Sequence, residues 1–393
     1  MIVPLSQVAE INPKADLPTH LAQNAMLDFL PMADVSEAGV VSVSAQRPLS
    51  EVQKGFTAFR KGDILIAKIT PCFENNKIAV ADIATEFGFG STEFHVVRCQ
   101  QSRLDSRYVL HLLRSNDVRA EGKRRMTGSA GQQRVPKKFL EELQIPLPPL
   151  EEQKRIAAIL DQADELRRKR QRALDRLNQL GQAIFIEMFG DPASNPRGFD
   201  AKPLGEIIEF IGGSQPAKSH FLYEPGPDRI RFIQIRDFRT DKYPTYVPKA
   251  LAKRPFSEDD VMIGRYGPPV FQIFRGLSGT YNVALMKAKP RRNLTSDFVF
   301  YLLQEPRLHS YVVANSERTA GQSGVNLELL EKYPAFEPPM PLLIAFSEQI
   351  AALNAQLLAA CSAAERVEAL FTSLQHRAFR GELTASSLKE AAA

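Results

Sequence analysis

The chain has 393 residues, 44% of them hydrophobic, with 50 Lys and Arg against 45 Asp and Glu. That length exceeds one ordinary domain and suffices for two buried cores, while a net charge of +5 admits nucleic acid as a partner without demanding it. Cys72, Cys99 and Cys361 are far apart, odd in number and in no metal-ligand spacing, which excludes a disulfide framework and suits a reducing compartment.

The opening MIVPLSQVAEINP has no charged n-region followed by an apolar h-region, and no apolar run approaches 18 residues; a soluble cytoplasmic protein without membrane contact is expected. Runs rich in Val, Ile and Phe at 63–69, 77–81 and 94–98, set between Gly, Pro and Asn turns, read as strands. A helical pattern follows at 106–115, then the turn Thr127-Gly128-Ser129-Ala130-Gly131-Gln132. Pro146, Pro148 and Pro149 lead into a long helix over 151–190, because rigid extended chain suits entry into a first helical turn. Glu151 and Glu152 place negative charge at the positive end of its dipole, and Gly190 with Pro192 ends it. Its a/d positions are Ile156, Ile159, Ala163, Leu166, Arg170, Ala173, Leu177, Leu180 and Ile184. A period of 3.5 residues keeps one stripe facing a partner helix, as in a coiled coil.

The series then recurs. Strands are expected at 230–235, 261–265 and 281–287, and a helix at 296–304. The turn Ala320-Gly321-Gln322-Ser323-Gly324-Val325, the prolines Pro338, Pro339 and Pro341, and a second long helix over 342–381 follow. That helix carries Ile350, Leu353, Leu357, Ala360, Ala364, Val367, Phe371, Leu374 and Ala378 in the same heptad frame, offset by 194 positions. The strand Asp63-Ile64-Leu65-Ile66-Ala67-Lys68 reappears as Asp260-Val261-Met262-Ile263-Gly264-Arg265. The chain therefore reads as a tandem duplication: globules at 1–149 and 191–340, helices at 150–190 and 341–381, and a tail at 382–393. The expected class is α+β, two similar mixed globules joined by two long coiled-coil helices of roughly 55 to 60 Å.

The first helix ends at the second globule, and the second helix has only the first to lie against, so the pair must be antiparallel with a pseudo-twofold axis through its middle. With ends matched, Ile156 meets Ala378 and Ile184 meets Ile350. Arg170 then falls opposite Ala364, a register device whose stem crosses the small side chain.

Two unlike heads at fixed separation suit duplex DNA, which has twofold symmetry of its own, and they imply an asymmetric, split target. Phosphate contact requires cations, and base readout requires Arg, Lys, Asn or Gln at a groove edge. Beside the first repeated strand stand Lys68, Asn75, Asn76 and Lys77; around the 128–131 turn stand Lys123, Arg124, Arg125, Gln132, Gln133, Arg134, Lys137 and Lys138. The second half offers Arg265, Tyr266, Gln272, Arg275 and Asn282, then Arg318, Gln322, Ser323 and Asn326 at its turn. Each could be ordinary surface charge. Lys68 and Arg265 stand out because the repeat preserves their position. The block Arg167, Arg168, Lys169, Arg170 and Arg172 reads as a solvated face or as a contact to DNA or to an acidic partner.

Catalytic constellations are absent from the sequence. There is no P-loop, no Gly-x-Gly-x-x-Gly opening a helix after a strand, and no Asn/Asp-Pro-Pro-Tyr/Phe tetrapeptide. The six histidines form no His-Glu-x-x-His or Cys/His cluster. A non-catalytic protein without cofactor or metal is expected.

The run PLPPLEEQKRIAAILDQADEL entering the first helix, the duplicated strand ending in Lys68 or Arg265, and GTYNVALMKA at 279–288 resemble the specificity subunit of a type I restriction-modification system over essentially the whole chain. The second helix entry, PPMPLLIAFSEQIAAL, departs from that pattern: Leu342 to Phe346 stand where the first helix is charged. The resemblance implies that the globules are target recognition domains reading double-stranded DNA in a bipartite site. It also implies that the helices are spacers that bind two methyltransferase subunits, with restriction/translocase subunits as a further partner. The rival reading is a coiled-coil scaffold whose two globules bind proteins.

Overall fold

The computed structural model describes residues 1–383 except 15, 130, 268 and 320–321, with backbone alone for 317–319 and 322–323. Two compact units result: Met1–Gln171 with the chain from Ala363 onward, and Arg172–Ser362.

The first unit contains β1 (Ile2–Pro4), β2 (Ala9–Ile11), β3 (Met26–Leu30), β4 (Ala45–Pro48), α1 (Leu49–Val52), β5 (Thr57–Arg60), β6 (Ile64–Ala67), β7 (Ile78–Val80), β8 (Phe87–Gly90) and β9 (Phe94–Cys99). Then come α2 (Ser106–Leu113), α3 (Asn116–Arg124), α4 (Lys137–Glu142), β10 (Gln144–Pro146) and the start of α5 (Leu150–Phe189). One four-stranded sheet runs β2-β9-β6-β7 and another β4-β3-β8-β5, with β3 and β8 parallel; β1 closes on β10. Every residue of β6 is buried because the strand has core on both faces: Ile64 and Ile66 enter one apolar cluster and Leu65 another. That is why its sequence is continuously apolar. Asp105 and Ser115 accept backbone N–H bonds at the starts of α2 and α3.

The second unit takes the end of α5, then β11 (Asp200–Pro203), α6 (Leu204–Ile207), β12 (Ile208–Gly212), β13 (Arg229–Ile233), β14 (Tyr246–Pro248), β15 (Pro255–Phe256), β16 (Val261–Gly264), β17 (Gln272–Phe274), β18 (Gly279–Tyr281) and β19 (Leu285–Pro290). It finishes with α7 (Ser296–Leu303), α8 (Pro306–Ala314), β20 (Glu317–Thr319), β21 (Gln322–Gly324), α9 (Leu327–Glu331), β22 (Pro334–Glu337) and the start of α10 (Met340–Phe379). Its sheets run β12-β19-β16-β17 and β14-β13-β18-β15, with β13 and β18 parallel, and β11 closes on β22. The order of these three sheets repeats that of the first unit, with β20-β21 as a further two-stranded sheet, so the duplication reaches the topology. The repeated aspartate has a structural reason: Asp63 accepts the Arg60 N–H at 2.7 Å and Asp260 the Ser257 N–H at 2.8 Å, each closing the turn before its strand.

Three expectations are corrected. The strand expected at 281–287 is two strand ends, β18 and β19, separated by a turn at Asn282. The long helices correspond with an offset of 190, Leu150 to Met340 and Phe189 to Phe379, rather than 194; a four-residue slip keeps a residue on the same helical face, which hides the difference in a periodicity. The stripe read on α5 is also rotated by one residue. Leu166 and Leu180 are 44% and 43% exposed, while Ile156, Ala157, Leu160, Asp164, Leu174, Gly181 and Phe185 are buried. Burial there is set by the globular elements as well as by the other helix, so the covered face is wider than a two-stranded seam. On α10 the stripe is covered as expected, with Ile350, Leu353, Phe371 and Ala378 buried.

Within the first unit α5 and α10 run antiparallel: Arg155 meets the Leu383 carbonyl, and Arg167 meets Glu368 at 3.3 Å while lying over the Phe371 ring. This pairing fits Arg170 opposite Ala364. Cysteines introduced at 170 and 364, in a background lacking Cys361, are expected to crosslink within one chain under mild oxidation. A reduced monomer on non-reducing gels would remove the register.

An 18-residue window of α10 has mean hydropathy 1.4, so that helix is long and apolar enough by length and composition to cross a membrane. The average passes although Ser347, Glu348 and Gln349 interrupt any continuous apolar run.

Candidate nucleic-acid interface

The two landmarks that repeat in the sequence lie side by side in each unit. In the first, the chain leaving β6 is zipped to the hairpin around Gly128: Val135 N–H donates to the Lys68 carbonyl at 2.8 Å, and Thr70 N–H donates to the Gln133 carbonyl at 2.9 Å. Arg134 bridges both Ile69 and Thr127. Gly128 has φ 123, a conformation that favours glycine, and a Cβ there would lie 2.7 Å from the Gln132 carbonyl oxygen. The exposed Gln132 and Gln133 sit at the hairpin tip.

Beneath them, Glu93 accepts from Arg134 Nε at 3.0 Å and Nη2 at 2.8 Å. The Arg134 guanidinium, assisted by the Lys68 ammonium, holds the Glu93 carboxyl below its ordinary range. Burial pushes the His95 imidazole down, and its hydrogen bonds fix the tautomer. Asn12 Oδ1 accepts the Val96 N–H, which turns Asn12 Nδ2 toward His95 Nδ1 at 3.0 Å, leaving Nε2–H to donate to the Val135 carbonyl at 2.8 Å. His95 is therefore a neutral strut under the hairpin. Beside Lys68 opens a cavity of about 520 Å³ whose lining includes Asn12, Gln53, Phe56 and Thr92.

The second unit repeats the join with different side chains. Val325 N–H donates to the Arg265 carbonyl at 3.0 Å, and Tyr266 bridges Gly324. The Arg265 guanidinium lies 5.2 Å from the centre of the Tyr266 ring, and a Cβ at Gly324 would come within 2.9 Å of that ring. Gln272, in β17, accepts from Arg239 and donates to the Pro269 carbonyl.

Other expected contacts have local partners. Lys77 Nζ donates to the Met32 carbonyl at 3.1 Å and Asn75 donates to Glu37 at 2.8 Å. Arg124 and Arg125 pair with Glu121, and Lys137 with Glu141 at 2.9 Å. Arg275 pairs with Asp297 at 2.7 Å and lies over Phe300. Asn326 caps α9 by accepting the Leu329 N–H. These seven are placed by intramolecular bonds, a structural role that spacing along the chain does not reveal. The side chains of Arg318, Gln322 and Ser323 lie outside the described residues. In the middle of α5, Arg167 and Arg168 pair with Asp164 and Lys169 with Glu165, while Arg170 and Arg172 are exposed. Sequence reasoning missed Glu93 and His95, because neither is a cation or a base-reading side chain. Among the described residues no three His, Cys, Asp or Glu side chains are grouped as metal ligands.

Comparison with known proteins agrees with this architecture. Residues 1–176 match the type I restriction modification DNA specificity domain. The EcoAI specificity subunit of Escherichia coli is 38% identical over 187 residues, 46% of this chain and 31% of that protein, so the match spans about a third of that relative. The putative MjaX specificity subunit of Methanocaldococcus jannaschii is 24% identical over 72% of this chain and 68% of its own. A solved chain from a study of type I restriction-modification assembly shares the fold, with a TM-score of 0.58 at 21% identity over 98% of both chains. Over residues 1–176, a little under half of the chain, the sequence is thus similar to the type I restriction modification DNA specificity domain.

Proposed function

We propose that this chain is the non-catalytic specificity subunit of a cytoplasmic type I restriction-modification complex. It reads an asymmetric, bipartite duplex site, one part through each unit, and brings two methyltransferase subunits, with restriction subunits, to that site. The observation that carries this reading is the repeated join of a cationic strand end to a glycine hairpin, Lys68 with Gln133 and Arg134 in one unit and Arg265 with Gly324 and Val325 in the other. Conserved topology with altered side chains is what two readers of different sequences require, because backbone placement positions and side chains specify.

The experiment is to sequence modified bases in cells that carry the chain with its partner methyltransferase, then to measure binding to that duplex with either part scrambled. Lys68→Ala or Arg134→Ala is expected to weaken recognition at one part of the site by roughly 1–3 kcal/mol, and Arg265→Ala at the other. Equal loss at both parts from every substitution would refute separate readers. Binding indifferent to sequence would favour the scaffold reading.

A further inference from the structure

Cations concentrate on the β13–β14 hairpin of the second unit and the turns around it. Between residues 229 and 254 eight Lys and Arg stand against two Asp, a net of +6 that exceeds the +5 of the whole chain. The matching stretch of the first unit, 26–56, has two cations against four carboxylates, a net of −2. This reversal occurs at equivalent register positions. Met26 pairs with Pro48 and Arg229 with Pro248, which places Asp28 and Arg231 at the same point of the two sheets. Asp28 is buried and accepts from Ala84 N–H, Thr85 N–H and the Gln46 amide. Arg231 instead pairs with Asp241 at 2.6 Å.

Beyond Arg231 the cations outnumber the carboxylates, Asp237 and Asp241. Arg236, Arg239, Lys242 and Lys249 are exposed, and none has an ion pair among the described residues. Arg236 reaches only the Thr245 hydroxyl at 3.4 Å, and Arg239 reaches Gln272. Gln272 pairs in β17 with Gly264, the residue before Arg265, so the basic ridge is continuous with the Arg265 and Tyr266 site. Two phenol rings stand free beside it: Tyr243 is 67% exposed, and Tyr223, next to the Leu222 bridge to Tyr246, is 71% exposed. Like charges crowded within a Debye length repel one another, and a polyanion relieves that repulsion while releasing its own counterions.

We infer that this ridge, with Arg236, Arg239 and Lys242 at its centre and Tyr243 beside them, contacts the phosphates of duplex DNA. The second unit thereby supplies more of the sequence-independent, salt-sensitive part of binding than the first. The inference rests on the reading of the chain as a DNA-binding subunit. Duplex DNA is favoured over an acidic protein by the continuity with Arg265, and the tyrosine hydroxyls beside the cations add neutral donors of a kind used on phosphate oxygens.

The test is the binding of the full chain to a random-sequence duplex across a salt series. Arg236→Gln, Arg239→Gln and Lys242→Gln combined should make the slope of log K against log salt shallower by about 2 to 3, at about 0.9 per lost phosphate contact. The methylated sequence in cells should be unchanged. Arg236→Lys, Arg239→Lys and Lys242→Arg combined should keep the wild-type slope, which separates charge from misfolding. Arg47→Gln with Lys54→Gln in the first unit should leave it unaltered. A wild-type slope in the glutamine variant overturns the inference, as does a changed target sequence at constant slope. Loss of a partner subunit with DNA binding intact also overturns it and assigns the ridge to protein. Wild-type chain that shows no salt-dependent DNA binding refutes the proposed function itself.

Discussion

Phe346→Ala is expected to destabilise the second unit by roughly 3–5 kcal/mol, the range for deleting a fully buried phenyl ring. Phe346 on α10 is wholly buried, with its ring centre 5.1 Å from Phe189, 5.6 Å from Tyr301 and 5.9 Å from Phe185. Those neighbours come from α5 and α7, and the cluster continues through Phe298 to Phe336. Truncation would leave a void where three helices meet, and each has a rigid backbone that cannot collapse into it. Denaturant unfolding of the full chain checks this, with Phe346→Leu retaining more than half the loss. A change below about 1 kcal/mol would contradict the packing described.

The offset of 190 accounts for two positions of the second helix entry. With an offset of 190, Phe346 stands where the first helix has Ile156, and Leu343 stands where it has Gln153. Both members of each pair are buried. Gln153 accepts the Asp105 N–H and donates to the Arg103 and Pro148 carbonyls; Leu343 joins an apolar cluster instead. One site in the repeat is held by hydrogen bonds and its counterpart by burial.

Asp161→Ala is expected to cost the first unit about 1–3 kcal/mol near neutral pH, because it leaves a buried imidazole without its acceptor. Asp161 on α5 accepts from His111 Nε2 at 2.8 Å and from Arg107 Nε at 3.2 Å, both on α2. The His111 carbonyl in turn accepts from Gln375 of α10 at 2.9 Å, and the His111 ring meets Phe371 edge-on. Burial acts to raise the Asp161 carboxyl, but His111 and Arg107 outweigh it and hold the group down at about 2. A depressed carboxylate stabilises fully above its ordinary value of 3.8, and that contribution is lost as pH falls through about 2. Melting temperature should therefore fall more steeply across that acid interval in the wild type than in Asp161→Ala. Parallel curves would show that the carboxylate does not tie the helices.

Much of this architecture was legible because its signals are local or periodic. Prolines before each long helix, glycines after it and the aspartate that opens β6 and β16 act through a few neighbouring residues. What stayed hidden depends on partners distant in the chain. Asp164 is 5% exposed on a face that charge alone would assign to solvent, because Arg167 and Arg168 cover it. Lys77 and Arg275 looked available until Met32 and Asp297 were placed beside them. The ridge around Arg236 escaped notice because its cations are spaced along two strands and several turns, and only the hairpin gathers them.

The shared helices impose an order on synthesis. The second unit is one unbroken stretch, Arg172–Ser362, whereas the buried cluster of the first unites Ile156 and Leu160 with Phe371, Ala378 and Leu383. A ribosome thus releases everything the later-encoded unit needs before it delivers the final side chains of the earlier one. During translation the first unit must wait, with part of its apolar interior open, for a closing piece made more than 180 residues after its own start of α5.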